Sequence, residues 1–356
     1  MKRLIGILAV LCFCAFPAFA AVKVQEVTSE GGIKAWLVEE HSIPFVAIEV
    51  RFRGGAALDA VGKRGAIYLM TGLLDEGAGE LDAQGFAVRR EELAASYSYR
   101  VYDDTLSISA RMLTENRQEA VALLKASLLR PRFDQDAIDR VREQVLAGIR
   151  SDATSPNAIA GRHFDETAWG DHPYGSPRQG TEESVTNLTR QDMLDAHSRV
   201  FTLDRVYVSA VGDITAEELG ALMDDLLGDL PAEASAPLQP RATYGLTGGI
   251  DVVDFPSPQA VALFGHQGLK RDDPDYMAAY VVNEIFGGSG LESRLTREVR
   301  EKRGLTYGVS TFLMPMDSGE LVMGSVRSDN SKIAEAIDII RDEWRALSES
   351  GVTEKE

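Results

Sequence analysis

Residues 45–53 (FVAIEVRFR) alternate apolar and polar side chains, the period-two pattern of a strand with one buried face. The period then changes: over 61–76, Ala66, Ile67, Met70, Leu73 and Leu74 recur at helical spacing. Residues 97–111 predict a hairpin turning at Asp103-Asp104, an acidic pair suited to turn chemistry rather than catalysis. Helices are expected over 116–129, 134–153 and 189–200, followed by a strand at 206–211 and a helix over 215–229.

Residues 231–240 (PAEASAPLQP) have no periodicity and read as a linker. Beyond them the same order begins again. A strand at 260–266 followed by Gly268 matches the strand that ends at Gly55, and a helix over 276–286 matches the one containing Tyr68. Asn330 opens SKIAEAIDIIRDEW as Asn116 opens RQEAVALLK. The offset is 213 residues between the glycines and 214 between the asparagines, which predicts a duplication. The expected organisation is a first half over 21–230, a linker over 231–243 and a second half over 244–356. The first copy continues past its Asn116 helix for longer than the second does past Asn330. Equivalent copies would leave the second half short by roughly 85 residues.

The first twenty residues carry a different pattern. Lys2 and Arg3 precede an apolar run from 4 to 16, and Ala18-Phe19-Ala20 supplies the small residues of a signal-peptidase site. Cleavage after Ala20 predicts a periplasmic or secreted chain with no membrane anchor. It also removes Cys12 and Cys14, the chain's two cysteines, and with them disulfides, thiolate metal sites and cysteine nucleophiles. Loss of the two basic leader residues takes the net charge from −18 to −20, which argues against a nucleic-acid partner.

Little in the rest offers an independent catalytic motif. His41, His163, His172, His197 and His266 include no pair spaced to place two imidazoles on one helix face. There is no G-x-S-x-G elbow and no phosphate-binding G-x-x-x-x-G-K-[ST] loop; Gly287-Gly288-Ser289-Gly290 reads as a turn between helices. Glu91-Glu92, Asp224-Asp225 and Asp272-Asp273 read as solvated faces or turns.

The duplicated halves, HPYGSPRQG at 172–180 and NEIFGGSGLESRLTREVREKRGLTYGVST at 283–311 resemble the pitrilysin/insulinase zinc peptidases. The resemblance covers essentially all of the chain after the leader, and 283–311 is its most specific part. It implies an α+β fold of two homologous α/β-sandwich halves, as in the mitochondrial processing peptidase. Active members carry an inverted motif, H-x-x-E-H, in which two histidines bind zinc and the glutamate activates a metal-bound water. Aligned on GAIYLMTG, the histidine positions fall on Tyr68 and Gly72 and the base on Thr71; the later glutamate ligand falls near Ala147-Gly148. The resemblance therefore implies no zinc in this chain and no activity alone.

What the resemblance retains is an arginine and a tyrosine, here Arg300 and Tyr307, which in the family donate hydrogen bonds to the substrate carbonyl as it becomes an oxyanion. Removing one such donor costs about 10²–10³ in rate. Without the family pattern, Arg294, Arg297 and Arg300 beside Glu298 and Glu301 read equally as a solvated, ion-paired helix, and Tyr307 as a half-buried strand residue. The implied function is the non-catalytic subunit of a two-chain zinc endopeptidase. Its homologous partner would carry an intact H-x-x-E-H and the zinc, and peptides would be the substrates. The alternative is a non-enzymatic scaffold or peptide-binding protein on the same fold.

Overall fold

The computed structural model describes residues 23–288, 290 and 292–356. The expected leader, with its cleavage after Ala20, lies outside the described residues, as does Ser289 of the glycine-rich turn.

The first half is a six-stranded sheet covered by helices on one face. Its strands are β1 (Gln25–Thr28), β2 (Lys34–Glu39), β3 (Phe45–Arg53), β6 (Ser96–Val101), β7 (Thr105–Leu113) and β8 (Val206–Gly212), in the order β1-β2-β8-β3-β7-β6. A separate small ladder joins β4 (Gly77–Ala78) to β5 (Leu81–Asp82). Only β2 and β8 run parallel among the paired strands described. The alternation in β3 has its expected consequence: Val46, Ile48, Val50 and Phe52 are buried while Arg51 and Arg53 face solvent. Opposite them on β7, Leu106, Ile108, Ala110 and Met112 enter the same core. Helices Ala83–Glu92, Arg117–Leu129, Gln135–Asp152, Arg190–Val200 and Ala216–Leu227 contribute the apolar residues that close this core.

The second half repeats the central motif. Here β9 (Gln259–Gln267), β10 (Gly308–Pro315) and β11 (Glu320–Asp329) pair antiparallel in the order β10-β11-β9, the counterpart of β6-β7-β3. Helices Tyr276–Gly287 and Ile333–Ser350 pack on it through Phe286, Ala336 and Ile340. The residues that marked the repeat occupy equivalent places for steric reasons. A Cβ on Gly55, whose φ is +38°, would lie 2.2 Å from the Tyr102 carbonyl oxygen just before β7. A Cβ on Gly268 would lie 2.7 Å from the Leu321 backbone at the start of β11. The asparagines differ in their partners: Asn116 Nδ2 donates to the Leu93 carbonyl ahead of β6 at 3.0 Å, and Asn330 Nδ2 to the Ser257 carbonyl ahead of β9 at 2.7 Å.

The helix expected over 61–76 is shorter, Ala66–Thr71. Gly65 holds φ at 94°, outside the right-handed helix, and the Asp59 carboxylate accepts from Gly65 N and Ile67 N at 2.8 and 2.9 Å, which fixes where the helix begins. Residues 231–258 form neither helix nor strand.

The halves meet at a third apolar cluster. Phe164, Ala168 and Trp169 of the helix Pro156–Trp169 pack with Tyr174 against Leu321 and Met323 of β11. The turn between β10 and β11 rests directly on Trp169: a Cβ on Gly319 would stand 2.6 Å from its indole ring.

Candidate functional site

The short helix Ala66–Thr71 and the Gly72 that follows it carry the residues that the resemblance aligns with the zinc motif. Tyr68 is half-buried against the first-half core. Thr71 is buried, and its hydroxyl donates to the Ile67 carbonyl at 2.7 Å, so the helix itself satisfies the group at the base position. Gly72 ends the helix, and a Cβ there would meet Val141 Cγ1 at 3.1 Å. Ala147 and Gly148 are exposed on the helix Gln135–Asp152, and nothing lies within 4 Å of where a Gly148 Cβ would be. Zinc needs imidazole, thiolate or carboxylate ligands in a tetrahedral set. These positions offer one phenol and one hydroxyl already engaged, so they do not fit the metal. Among the described residues no three His, Cys, Asp or Glu side chains group as a ligand set.

Arg300 sits in a widened turn over Thr296–Glu301, where Lys302 N donates to the Arg297 carbonyl five residues back at 3.0 Å. Such an inserted residue often marks a functional turn. Arg294 and Arg297 hold Glu356 at 2.7 and 3.1 Å, while Lys302 and Arg303 hold Glu298 at 2.6 and 3.0 Å. Arg300 is exposed and has neither an ion pair nor a side-chain hydrogen bond among the described residues. The ion-paired reading therefore holds for its neighbours and not for Arg300.

Tyr307 is 90% exposed, outside the strand on which a half-buried tyrosine would lie. Its backbone is nevertheless pinned on both sides. Leu305 and Thr306 are buried, and the Thr306 hydroxyl donates to the Arg327 carbonyl on β11. The Gly308 amide donates back to Thr306 Oγ1 at 3.0 Å.

The loop 172–180 has a role that spacing could not reveal. Arg64 Nη2 donates to the Pro173 and Ser176 carbonyls, each at 3.0 Å, and pairs with Asp103 at 3.0 Å. The loop is thereby tied to the residue that precedes the Ala66–Thr71 helix. The Tyr174 hydroxyl donates to Asp104 Oδ1 and accepts from Ser318 N at 3.0 Å, and Asp104 Oδ2 accepts from Asp317 N at 3.1 Å. Burial, with the Asp104 carboxylate beside it, pushes the Tyr174 phenol well above its usual range and keeps it a donor. Asp103-Asp104 forms the expected turn between β6 and β7, and it also joins the two halves.

The histidines stay apart. His41 pairs with Asp213 at 2.8 Å, and this hydrogen bond raises its pKa. His197 meets the Leu128 carbonyl at 2.6 Å, and burial lowers its pKa. His172 lies 3.2 Å from the Pro240 carbonyl.

This duplicated fold defines a class of peptidase-like protein, and the chain belongs to the insulinase family, peptidase family M16. Residues 34–182 match "Insulinase (Peptidase family M16)" and residues 187–356 match "Peptidase M16 inactive domain". A relative from Helicobacter pylori, named non-peptidase homolog YmxG, is 26% identical over 318 residues, 89% of this chain and 73% of its own length. An uncharacterized zinc protease from Mycobacterium leprae is 26% identical over 335 residues, 92% of this chain and 74% of the relative. The crystal structure of a peptidase M16 inactive domain from Pseudomonas fluorescens superimposes with a TM-score of 0.88 at 28% identity, covering 94% of this chain and 81% of that one. The chain fits a non-catalytic member of the family.

Proposed function

We propose that this protein is the zinc-less subunit of a two-chain metalloendopeptidase that acts on peptides. A homologous partner with an intact H-x-x-E-H would supply zinc and general base; this chain supplies Arg300 and Tyr307. The observation that carries the reading is the freedom of Arg300, exposed and unpaired among the described residues, beside four cations that are all ion-paired. A guanidinium left without an acceptor among the described residues, and an exposed phenol on a pinned backbone, suit donation to a substrate oxyanion. Both groups donate to developing negative charge, where fixed donors act most strongly.

The test is reconstitution with the zinc-bearing homologue, measuring peptide hydrolysis. Arg300→Ala is expected to fold as the wild type does, because the exposed side chain makes no hydrogen bond or ion pair among the described residues, and to lower the rate by about 10²-fold. An unchanged rate removes the assigned role. If no mixture cleaves peptides, the scaffold reading stands instead.

The same reading makes the mature protein periplasmic or secreted, on the strength of the basic start, apolar run and small-residue site at 1–20. The chain recovered from periplasmic extract should begin at Ala21. Recovery from the cytoplasm with Met1 intact would refute export.

A further inference from the structure

Resting on that reading, we propose that Tyr174 is a positioning residue for Tyr307: its hydroxyl clamps the β10–β11 turn to the first half, and the hairpin carries that constraint to the substrate-facing phenol. The clamp has several independent parts. Tyr174 Oη donates to Asp104 and accepts from Ser318 N at 3.0 Å, and the second oxygen of Asp104 accepts from the neighbouring Asp317 N at 3.1 Å. Two successive amides of one turn therefore end on one phenol–carboxylate pair from the other half. Trp169 closes the far side of the turn, its ring edge-on to Tyr174 with centroids 5.7 Å apart. The contact is local, short and specific to the turn.

The hairpin transmits it. β10 and β11 pair without interruption from Pro315↔Glu320 beside the clamp to Gly308↔Arg327 at the other end, and Tyr307 is the residue immediately before Gly308. Eight paired positions span about 25 Å at the rise of an antiparallel strand. β11 is held on its other edge by β9 over its whole length, from Leu321↔Gln267 to Asp329↔Gln259. β10 is the edge strand, so flexing between the turn and Tyr307 would have to break its ladder to β11, which β9 backs. A small rotation of the turn therefore moves Tyr307 rather than being absorbed on the way. Misplacing a transition-state donor lowers kcat more than it raises KM.

Tyr174→Phe separates these ideas, since it keeps the ring and its packing on Trp169 and removes only the hydroxyl. In the reconstituted pair of full-length chains, it is expected to lower kcat about tenfold with little change in KM. In a Tyr307→Phe background it should cost nothing further, because the residue it positions has already lost its donor. In the isolated chain, hydrogen exchange at the Asp317 and Ser318 amides should accelerate by about tenfold or more. Asp104→Asn is the second variant, should Tyr174→Phe compromise folding, and should accelerate the same amides. Unchanged exchange overturns the clamp whatever the peptidase does. Faster exchange with a further loss in the Tyr307→Phe background overturns the route through Tyr307. If Arg300→Ala is also without effect, or no mixture is active, the peptidase reading fails and takes the Tyr307 step with it, while the exchange result still decides the clamp.

Discussion

Among single residues, partners matter more than residue type. The carboxylates show this most clearly. Asp104 has two amide- or hydroxyl-bearing partners, whereas Asp165, on the helix Pro156–Trp169, has no hydrogen bond or ion pair among the described residues. Burial, with the charge of Asp103 added, pushes Asp165 up to about 7. That lies above the unfolded value of about 3.9. The folded chain thus holds this proton longer than the unfolded chain, and stability falls as pH rises from about 4 to about 7. Asp165→Asn is neutral throughout and removes the loss. Its melting temperature should match wild type near about pH 4 and exceed it by a few °C near about pH 8. A constant offset across that range would show the proton is not held. Side-chain chemistry is written in the residue name, so the sequence by itself says that Tyr68, Thr71 and Gly72, which the resemblance aligns with the zinc motif, carry neither imidazole nor carboxylate. It could not say that, among the described residues, Arg300 alone of its group lacks a partner, because Glu356 and Glu298 reach the other cations through the fold.

Elements were legible in proportion to how regular they are. The alternation of β3, the hairpin through Asp103-Asp104 and the helix Arg117–Leu129 follow from local periodicity, and their ends fall within a residue or two of expectation. The widened turn carrying Arg300 does not, because one inserted residue leaves no compositional trace. The helix Pro156–Trp169 was missed although its start is signalled. Ser155 caps it and Pro156 occupies the first position, where a missing amide costs nothing. Gly55 was legible only as a repeat marker, and the structure supplies the cause. Ala at this position needs a left-handed φ and puts a Cβ against the Tyr102 carbonyl, so Gly55→Ala should destabilise by about 2–4 kcal/mol in urea unfolding. A loss below about 0.5 kcal/mol would mean the β3–β7 end relaxes freely.

For the whole molecule, the duplication is as much a statement about packing as about descent. Each half repeats a strand–helix–hairpin–helix unit, and the two are fastened by apolar packing around Trp169 and by the polar clamp on the β10–β11 turn. Trp169→Ala should cost about 3–5 kcal/mol, and the calorimetric transition should broaden or split as the halves uncouple. A single sharp transition at a lower temperature would instead make the halves one cooperative unit without Trp169. No helix among the described residues is long and apolar enough to cross a membrane.

The sequence alone determined the repeat, the alternating and helical segments, the family, and that Tyr68, Thr71 and Gly72 carry no imidazole or carboxylate. These are properties of residue type and spacing along one dimension. The tertiary structure decided which cations are already engaged, why glycine recurs beside β7 and β11, and how HPYGSPRQG joins the halves. Those depend on groups far apart in the chain meeting within hydrogen-bond distance, as Tyr174 meets Asp104 and Ser318, and no local pattern encodes such a meeting.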